Sequence, residues 1–237
     1  SIQLGYHTYP RYGFWHSFYW EVAYGSLSPA AKMRWHGRVG MALRAILGET
    51  WTNKATELAR HFEWADNWKE ALACYDYIWR ERQGIASERQ LAQIALKRAE
   101  ILRKLNRRDE ALRCYQDAAK FAVAGQEIDL TQQRAALIGQ AWTLFEMEDF
   151  PQAEPLFSTI IGLDAKDSIK TERRLYLGLT VAQLANERHE DAMKTLAAAL
   201  KPDDPEVNDR LDDADLCDAR QWLQHLREQR PDTPGIL

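Results

Sequence analysis

The residues best suited to chemistry in this chain are histidines and carboxylates, and their spacing limits what they can do. His16 and His36 stand on either side of Glu21, and imidazoles with a carboxylate form a common ligand set for zinc. None of their spacings is the four-residue interval that places two ligands on one helix face. Glu57 and His61 have that interval but no third ligand near them in the sequence. We therefore predict structural histidines, with no metal and no cofactor.

Patterns typical of catalysis are missing from the sequence. No serine stands in a G-x-S-x-G elbow, and no G-x-x-x-x-G-K-S/T phosphate loop occurs. Acidic clusters at 203–206 and 212–215 are typical of solvated connections and helix starts rather than of a catalytic pair. The sequence thus predicts no catalytic residue. An enzyme whose site is assembled from dispersed residues is the alternative that stays open.

Charge and composition narrow the class of protein further. A net charge of −4 and a pI near 5.9 argue against nucleic-acid binding by this segment. No apolar run is long enough for a membrane span, and no signal peptide is visible, so we expect no membrane association. Three widely spaced cysteines, Cys74, Cys114 and Cys217, favour reduced thiols in a cytoplasmic protein. Because the first residue is Ser1 rather than Met, we expect a longer parent chain.

The secondary-structure elements that would position a functional site recur along the chain. An alanine followed four residues later by a large apolar or aromatic side chain recurs at 71, 111, 153 and 192, which gives intervals of 40, 42 and 39. Self-similarity at this period is typical of a solenoid, in which stacked units bury each other's faces. The 3.6-residue periodicity predicts helix pairs at 53–65 with 68–82, 88–105 with 108–124, 129–147 with 150–163, and 168–186 with 189–201.

These features predict an all-α fold, a right-handed α-solenoid of antiparallel helix pairs. We divide the chain into a lead-in segment (1–47), four helix pairs (48–204), and a capping helix at about 213–228 with a tail (205–237). In the lead-in segment, the alternating aromatic start at 12–16 predicts a short strand, and helices are expected around Glu21 and from Ala30 to Leu47.

Small residues recur where two helices of a pair must approach closely. They are Ala59 with Ala71, Ala99 with Ala111, and Ala141 with Ala153. This pattern resembles the tetratricopeptide repeat, which has small residues at its eighth and twentieth positions and large ones at its seventh, eleventh and twenty-fourth. The fourth unit departs from it at Thr180 and Gln183, and the spacing exceeds the usual 34 residues of the family. The resemblance covers roughly residues 52–204.

The segment before the repeats carries a second resemblance. Its spacing follows the phrase F-x-H-x4-E-V-A-Y-x-x-L-x-P-x4-R-x-H at Phe14, His16, Glu21, Val22, Ala23, Tyr24, Leu27, Pro29, Arg34 and His36. The phrase is similar to the end of the winged-helix module in STAND-type signalling ATPases, including those of class III adenylyl cyclases and large LuxR-type transcriptional regulators. There it leads into tetratricopeptide-like repeats. Without a phosphate loop, the resemblance implies a regulatory arm rather than an ATPase.

A tetratricopeptide register places the first helix of each pair on a concave face. Six cationic or aromatic residues there are our candidates for partner binding: Arg60, Trp64, Arg103, Lys104, Trp142 and Phe145. Cations beside exposed aromatic rings suit a peptide with acidic and apolar side chains. The predicted function is a non-catalytic scaffold that binds a protein, a peptide or other domains of its parent, and a homodimer is possible. The alternative is a domain that senses a small molecule on the same face.

Overall fold

The structure, a computed structural model, describes residues 2–4, 7–9, 17–124, 128–166, 173–199 and 224. Nearly all of these residues are helical, which confirms the predicted all-α class. Two short strands, β1 (Ile2–Leu4) and β2 (His7–Tyr9), pair in antiparallel fashion with Ile2 opposite Tyr9. No helix within the described ranges is both long enough and apolar enough to cross a membrane.

Ten α-helices lie within the described residues. They are α1 (Ser17–Gly25), α2 (Pro29–Leu47), α3 (Ala55–Trp64), α4 (Trp68–Arg82), α5 (Glu88–Lys104), α6 (Arg108–Ala124), α7 (Leu130–Glu146), α8 (Phe150–Lys166), α9 (Arg173–Ala185) and α10 (His189–Ala199). A 3₁₀ helix, Gly48–Lys54, joins α2 to α3.

The helices fall where their periodicity predicts them. All four expected pairs are present, and so are the two lead-in helices α1 and α2. The helix α8 continues to Lys166 instead of ending at 163, and the 3₁₀ helix occupies the expected start of α3. The strand predicted at 12–16, the start of a helix at 168 and the capping helix at 213–228 lie outside the described residues. The solenoid and its handedness remain predictions, as does the three-part division of the chain.

The chain divides into two compact units. The first comprises residues 1–114 and 124–126, and the second comprises residues 115–123 and 127–237. In the first unit α3 packs against α2 and α4, and α4 also packs against α5. In the second unit α8 packs against α7 and α9, and α9 also packs against α10. Sequential helices are therefore spatial neighbours within each unit, as short connections require.

The alanines that define the repeat are core residues. Six of them, Ala59, Ala71, Ala99, Ala111, Ala141 and Ala153, are fully buried. In the fourth pair the corresponding polar residues are buried too, but each has a hydrogen bond. The Thr180 hydroxyl donates to the carbonyl of Tyr176 at 2.8 Å, and the Thr195 hydroxyl lies 2.8 Å from Oε1 of Gln183. These bonds offset the cost of burying polar groups at positions that are apolar in the other pairs.

The connection inside each helix pair has one backbone geometry, repeated four times. An exposed non-glycine residue adopts a left-handed conformation in every one: Asp66, Asn106, Glu148 and Glu187. The amide of the following residue donates to the carbonyl five positions earlier, in the pairs Asn67 to Phe62, Arg107 to Leu102, Asp149 to Leu144 and Arg188 to Gln183. This is the Schellman arrangement that closes helix C-termini. Its recurrence at intervals of 40, 42 and 39 matches that of the alanines.

Candidate functional site

A groove in the first unit is a candidate site that the described residues form. Its cavity volume is about 500 Å³. Three helices supply its lining: Thr56, Arg60 and Glu63 from α3, Tyr75, Ile78 and Arg82 from α4, and Gln90, Gln93, Ile94 and Lys97 from α5. The residues from α3 and α5 recur at three and four positions, so each helix turns one face to the groove. The groove therefore has helical walls that the packing of the unit holds in place.

The charges along the groove are mainly positive. Arg60, Arg82 and Lys97 contribute three cations, and Glu63 is the one acidic residue of the lining. Burial disfavours the charged form of Lys97, but the carboxylates of Glu100, at 3.0 Å from Nζ, and of Glu63 together raise the pKa of that lysine. Lys97 is thus fully protonated near neutral pH. The groove combines positive charge with apolar and aromatic surface, which suits an acidic ligand.

Tyr75 is the one aromatic residue of the groove lining. Burial, together with the neighbouring Glu63 carboxylate, raises the pKa of Tyr75. The phenol is therefore neutral and can serve as a hydrogen-bond donor, but it is not a base near neutral pH. Its hydroxyl is hydrogen-bonded to the Glu63 carboxylate.

Of the six sequence-predicted residues, only Arg60 lines this groove. Arg103 and Lys104 are exposed in the last turn of α5, and the Lys104 ammonium lies 5.7 Å from the centre of the Trp68 ring. Trp64 is 56% exposed, but it packs against α2, where its ring centre is 4.5 Å from that of His36. The prediction that these residues form one partner-binding face stays a prediction.

The two candidates in the second unit belong to an aromatic core. Phe145 is only 2% exposed, so the prediction that it is an accessible anchor is wrong. Trp142 is half-buried and makes edge-to-face contacts with Phe145 and Phe157, at centroid distances of 5.4 and 5.1 Å. Its indole Nε1 is buried and has no hydrogen bond within the described part of the chain. These rings stabilise the unit through packing, and Trp142 alone retains some access to solvent.

Sequence reasoning missed most of the groove. The register it used counts only the first helix of each pair, so it could not include Tyr75, Ile78 and Arg82 on α4. On α5 it selected residues near the C-terminus, whereas the lining comes from the first three turns. A signal was present there: Gln90, Ile94 and Lys97 follow the spacing of a single helix face.

A second polar cluster joins α1, α2 and α3. Nδ1 of His36 lies 3.0 Å from Nδ1 of His61, and the Tyr24 hydroxyl lies 2.8 Å from Nε2 of His36. The two facing nitrogens share one hydrogen, so one imidazole donates and the other accepts. His36 was predicted to be structural and His61 was assigned no role, and their spacing of 25 residues gave no indication that they meet. In the described residues no group of three or more His, Cys, Asp or Glu side chains could hold a metal ion.

The histidine pair makes the first unit sensitive to acid. Burial lowers the pKa of His36, and the charge of His61 lowers it further. Burial also lowers the pKa of His61, although Glu57 opposes the change. At pH values below the ordinary histidine pKa of about 6.5, the unfolded chain therefore binds more protons than the folded one. The free energy of unfolding consequently falls as the pH falls.

We expect the urea midpoint of the first unit to decrease between about pH 7 and about pH 5, over the interval in which free histidines gain their charge. His61→Gln keeps a hydrogen-bonding side chain but removes one titrating group, so the decrease should be smaller in this variant. Circular dichroism during urea titrations at several pH values measures both. An unchanged pH dependence in His61→Gln would contradict the assignment.

No family model, no curated protein and no solved structure matches this chain, so comparisons with known proteins do not assign it to a family.

Proposed function

We propose that this chain is a non-catalytic helical scaffold whose groove between α3 and α5 binds an extended acidic segment of a partner protein. The observation that carries the proposal is the lining itself, which combines three cations with the apolar side chains of Ile78 and Ile94 and contains one carboxylate, that of Glu63. Lys97 is also paired with Glu100 outside the lining, so the excess positive charge comes from Arg60 and Arg82. Arg60 and Arg82 provide the planar donors that pair with carboxylates, and Ile78 and Ile94 provide contact for an apolar side chain. Exposed helical walls of this kind accept a peptide without a change of fold.

The wider role that we propose is the regulatory arm of a larger signalling ATPase or transcriptional regulator, built as a tetratricopeptide-like α-solenoid. Two residues of the winged-helix phrase, Tyr24 and His36, are hydrogen-bonded to each other, which supports the view that the phrase encodes one structural unit. We also propose a cytoplasmic location. Burial raises the pKa of Cys74 to about 11, so this thiol stays protonated and inert, as in reduced intracellular proteins.

We expect Arg60→Glu to weaken binding of an acidic peptide by about tenfold or more, because the reversed charge opposes the ligand inside the groove. The matched control is Lys104→Glu, which makes the same charge change on an exposed residue of α5 that does not line the groove. Fluorescence anisotropy with a labelled poly-glutamate peptide that contains leucines measures both affinities. Equal losses in the two variants would show a general charge effect and refute the groove.

A small-molecule sensor is the second candidate, and the size of the groove favours it. A volume of about 500 Å³ falls within the range of ligand pockets, which is about 300 to 1,000 Å³. A ligand present at a hundred times its dissociation constant would stabilise the protein by about 2.7 kcal/mol. A thermal-shift screen with small dicarboxylates and phosphates tests this candidate. Stabilisation that Arg60→Glu abolishes would favour it over the peptide.

A further inference from the structure

The helix α2 carries a row of exposed apolar side chains. Trp35, Val39, Ala42 and Ile46 lie at spacings of four, three and four residues, and all four are exposed; we call them the outer seam. Trp35 is 50% exposed and Val39 is 42% exposed. This spacing is the one by which a helix packs along a second helix.

The outer seam is exposed although another face of α2 is packed against the first unit. A parallel row one residue later, which includes His36, Gly40 and Leu47, is buried. At Gly40 the approach to α3 is so close that an added Cβ would lie 2.9 Å from the Phe62 ring. The inner row therefore fixes α2 on the first unit, and the outer seam lies about 100° farther round the same helix.

The charge of α2 indicates what kind of surface fits the seam. The helix contains Lys32, Arg34, Arg38 and Arg44 and no acidic residue. Arg44 is neutralised by Glu70 at 2.6 Å, and the Arg38 guanidinium lies over the Trp35 ring at 4.7 Å. Arg34 and Arg38 are exposed beside the seam. A second copy of α2 would bring like charges together, whereas acidic flanks on a partner helix would pair with these arginines.

We propose that the outer seam of α2 docks an amphipathic helix of a partner protein, with leucine-like residues at heptad spacing and glutamates or aspartates beside them. Trp35, at one end of the seam, is the main anchor, since a large ring in an exposed helical row buries the most area on binding. Arg34 and Arg38 set the charge preference of the seam. This surface is separate from the groove, because none of its residues belongs to the groove lining.

The test uses the full chain and two labelled peptides of about four heptads, with leucine at the first and fourth positions and either glutamate or lysine beside them. Fluorescence anisotropy should show binding of the glutamate peptide, and binding should weaken as salt is added. Val39→Glu should weaken it by about tenfold or more. The double variant Arg34→Glu with Arg38→Glu should weaken binding of the glutamate peptide as well. It changes only exposed side chains, so it provides a test even if Val39→Glu misfolds.

The matched control is Ile85→Glu, which places a new carboxylate at an exposed apolar residue outside α2 and should leave binding unchanged. Because an acidic peptide with leucines also suits the groove, Val39→Glu is measured in the Arg60→Glu background as well, and the same loss of binding there separates this surface from the groove. Equal binding of the lysine peptide, or no binding of the glutamate peptide at about 1 mM, overturns the proposal. Two results that indicate another occupant also overturn it. One is self-association of the chain that Val39→Glu abolishes, and the other is binding to phosphatidylserine vesicles that depends on the seam.

Discussion

Replacing Arg134 with methionine is expected to lower the free energy of unfolding of the second unit by about 3 to 5 kcal/mol. The Arg134 guanidinium donates to both carboxylate oxygens of Asp164, with Nε to Oδ1 at 2.7 Å and Nη2 to Oδ2 at 3.0 Å. Asp164 is fully buried. Removal of the arginine leaves a buried charge without its partner, and that cost exceeds the net contribution of the pair itself.

The double variant Arg134→Met with Asp164→Leu tests this explanation, because it removes both charges and should recover most of the lost stability. Arg107→Met is a matched control: Arg107 also binds Glu110 through two nitrogens, but both side chains are about half exposed. We expect little change there. Urea titration followed by tryptophan fluorescence and circular dichroism measures each variant. A double variant as unstable as Arg134→Met would contradict the role of the buried charge.

Replacing Gly139 with alanine is expected to destabilise the second unit by about 2 kcal/mol, although alanine is the better helix former. A Cβ at this position would lie 2.2 Å from Cε1 of Tyr115, and the Tyr115 ring is itself buried. The ring would have to leave a packed position, and its movement would also disturb the backbone carbonyl to which Gln140 donates. Overpacking therefore outweighs the gain in helix propensity.

The control for this prediction is Gly162→Ala, an exposed helical glycine with nothing within 4 Å of an added Cβ. This change should raise the free energy of unfolding by about 0.5 to 1 kcal/mol, since only the helix propensity changes. Thermal and urea denaturation of the two variants should move in opposite directions. Movement in the same direction would show that the contact with Tyr115 does not determine the outcome.

The sequence was sufficient to predict the helices, because periodicity, short polar connections and recurring alanines are local signals. It misplaced Phe145 because α7 contacts both α8 and α9, and a helix with two neighbours buries a wider stripe than one face. In consequence both Leu144 and Phe145, which are adjacent in sequence, are buried. Periodicity identifies the first buried face of a helix but gives no information about the second neighbour.

The candidate site was predictable only in part. Arg60 could be placed on the groove from the repeat register, but the residues from α4 depend on how three helices meet. The contact of His36 with His61 and the position of Trp64 against them depend on the packing of α2 on α3. Such contacts between distant positions leave no spacing pattern in a single sequence. They require the tertiary structure.

The four repeated connections within the helix pairs also bear on how this protein can be modified. Each is closed by main-chain hydrogen bonds, and the residue at its left-handed position is exposed and differs in type: Asp66, Asn106, Glu148 and Glu187. A turn that depends on the backbone tolerates many side chains, and exposed turns accept added residues more readily than helices do. These tips are therefore natural attachment points for fluorophores, affinity tags or grafted loops.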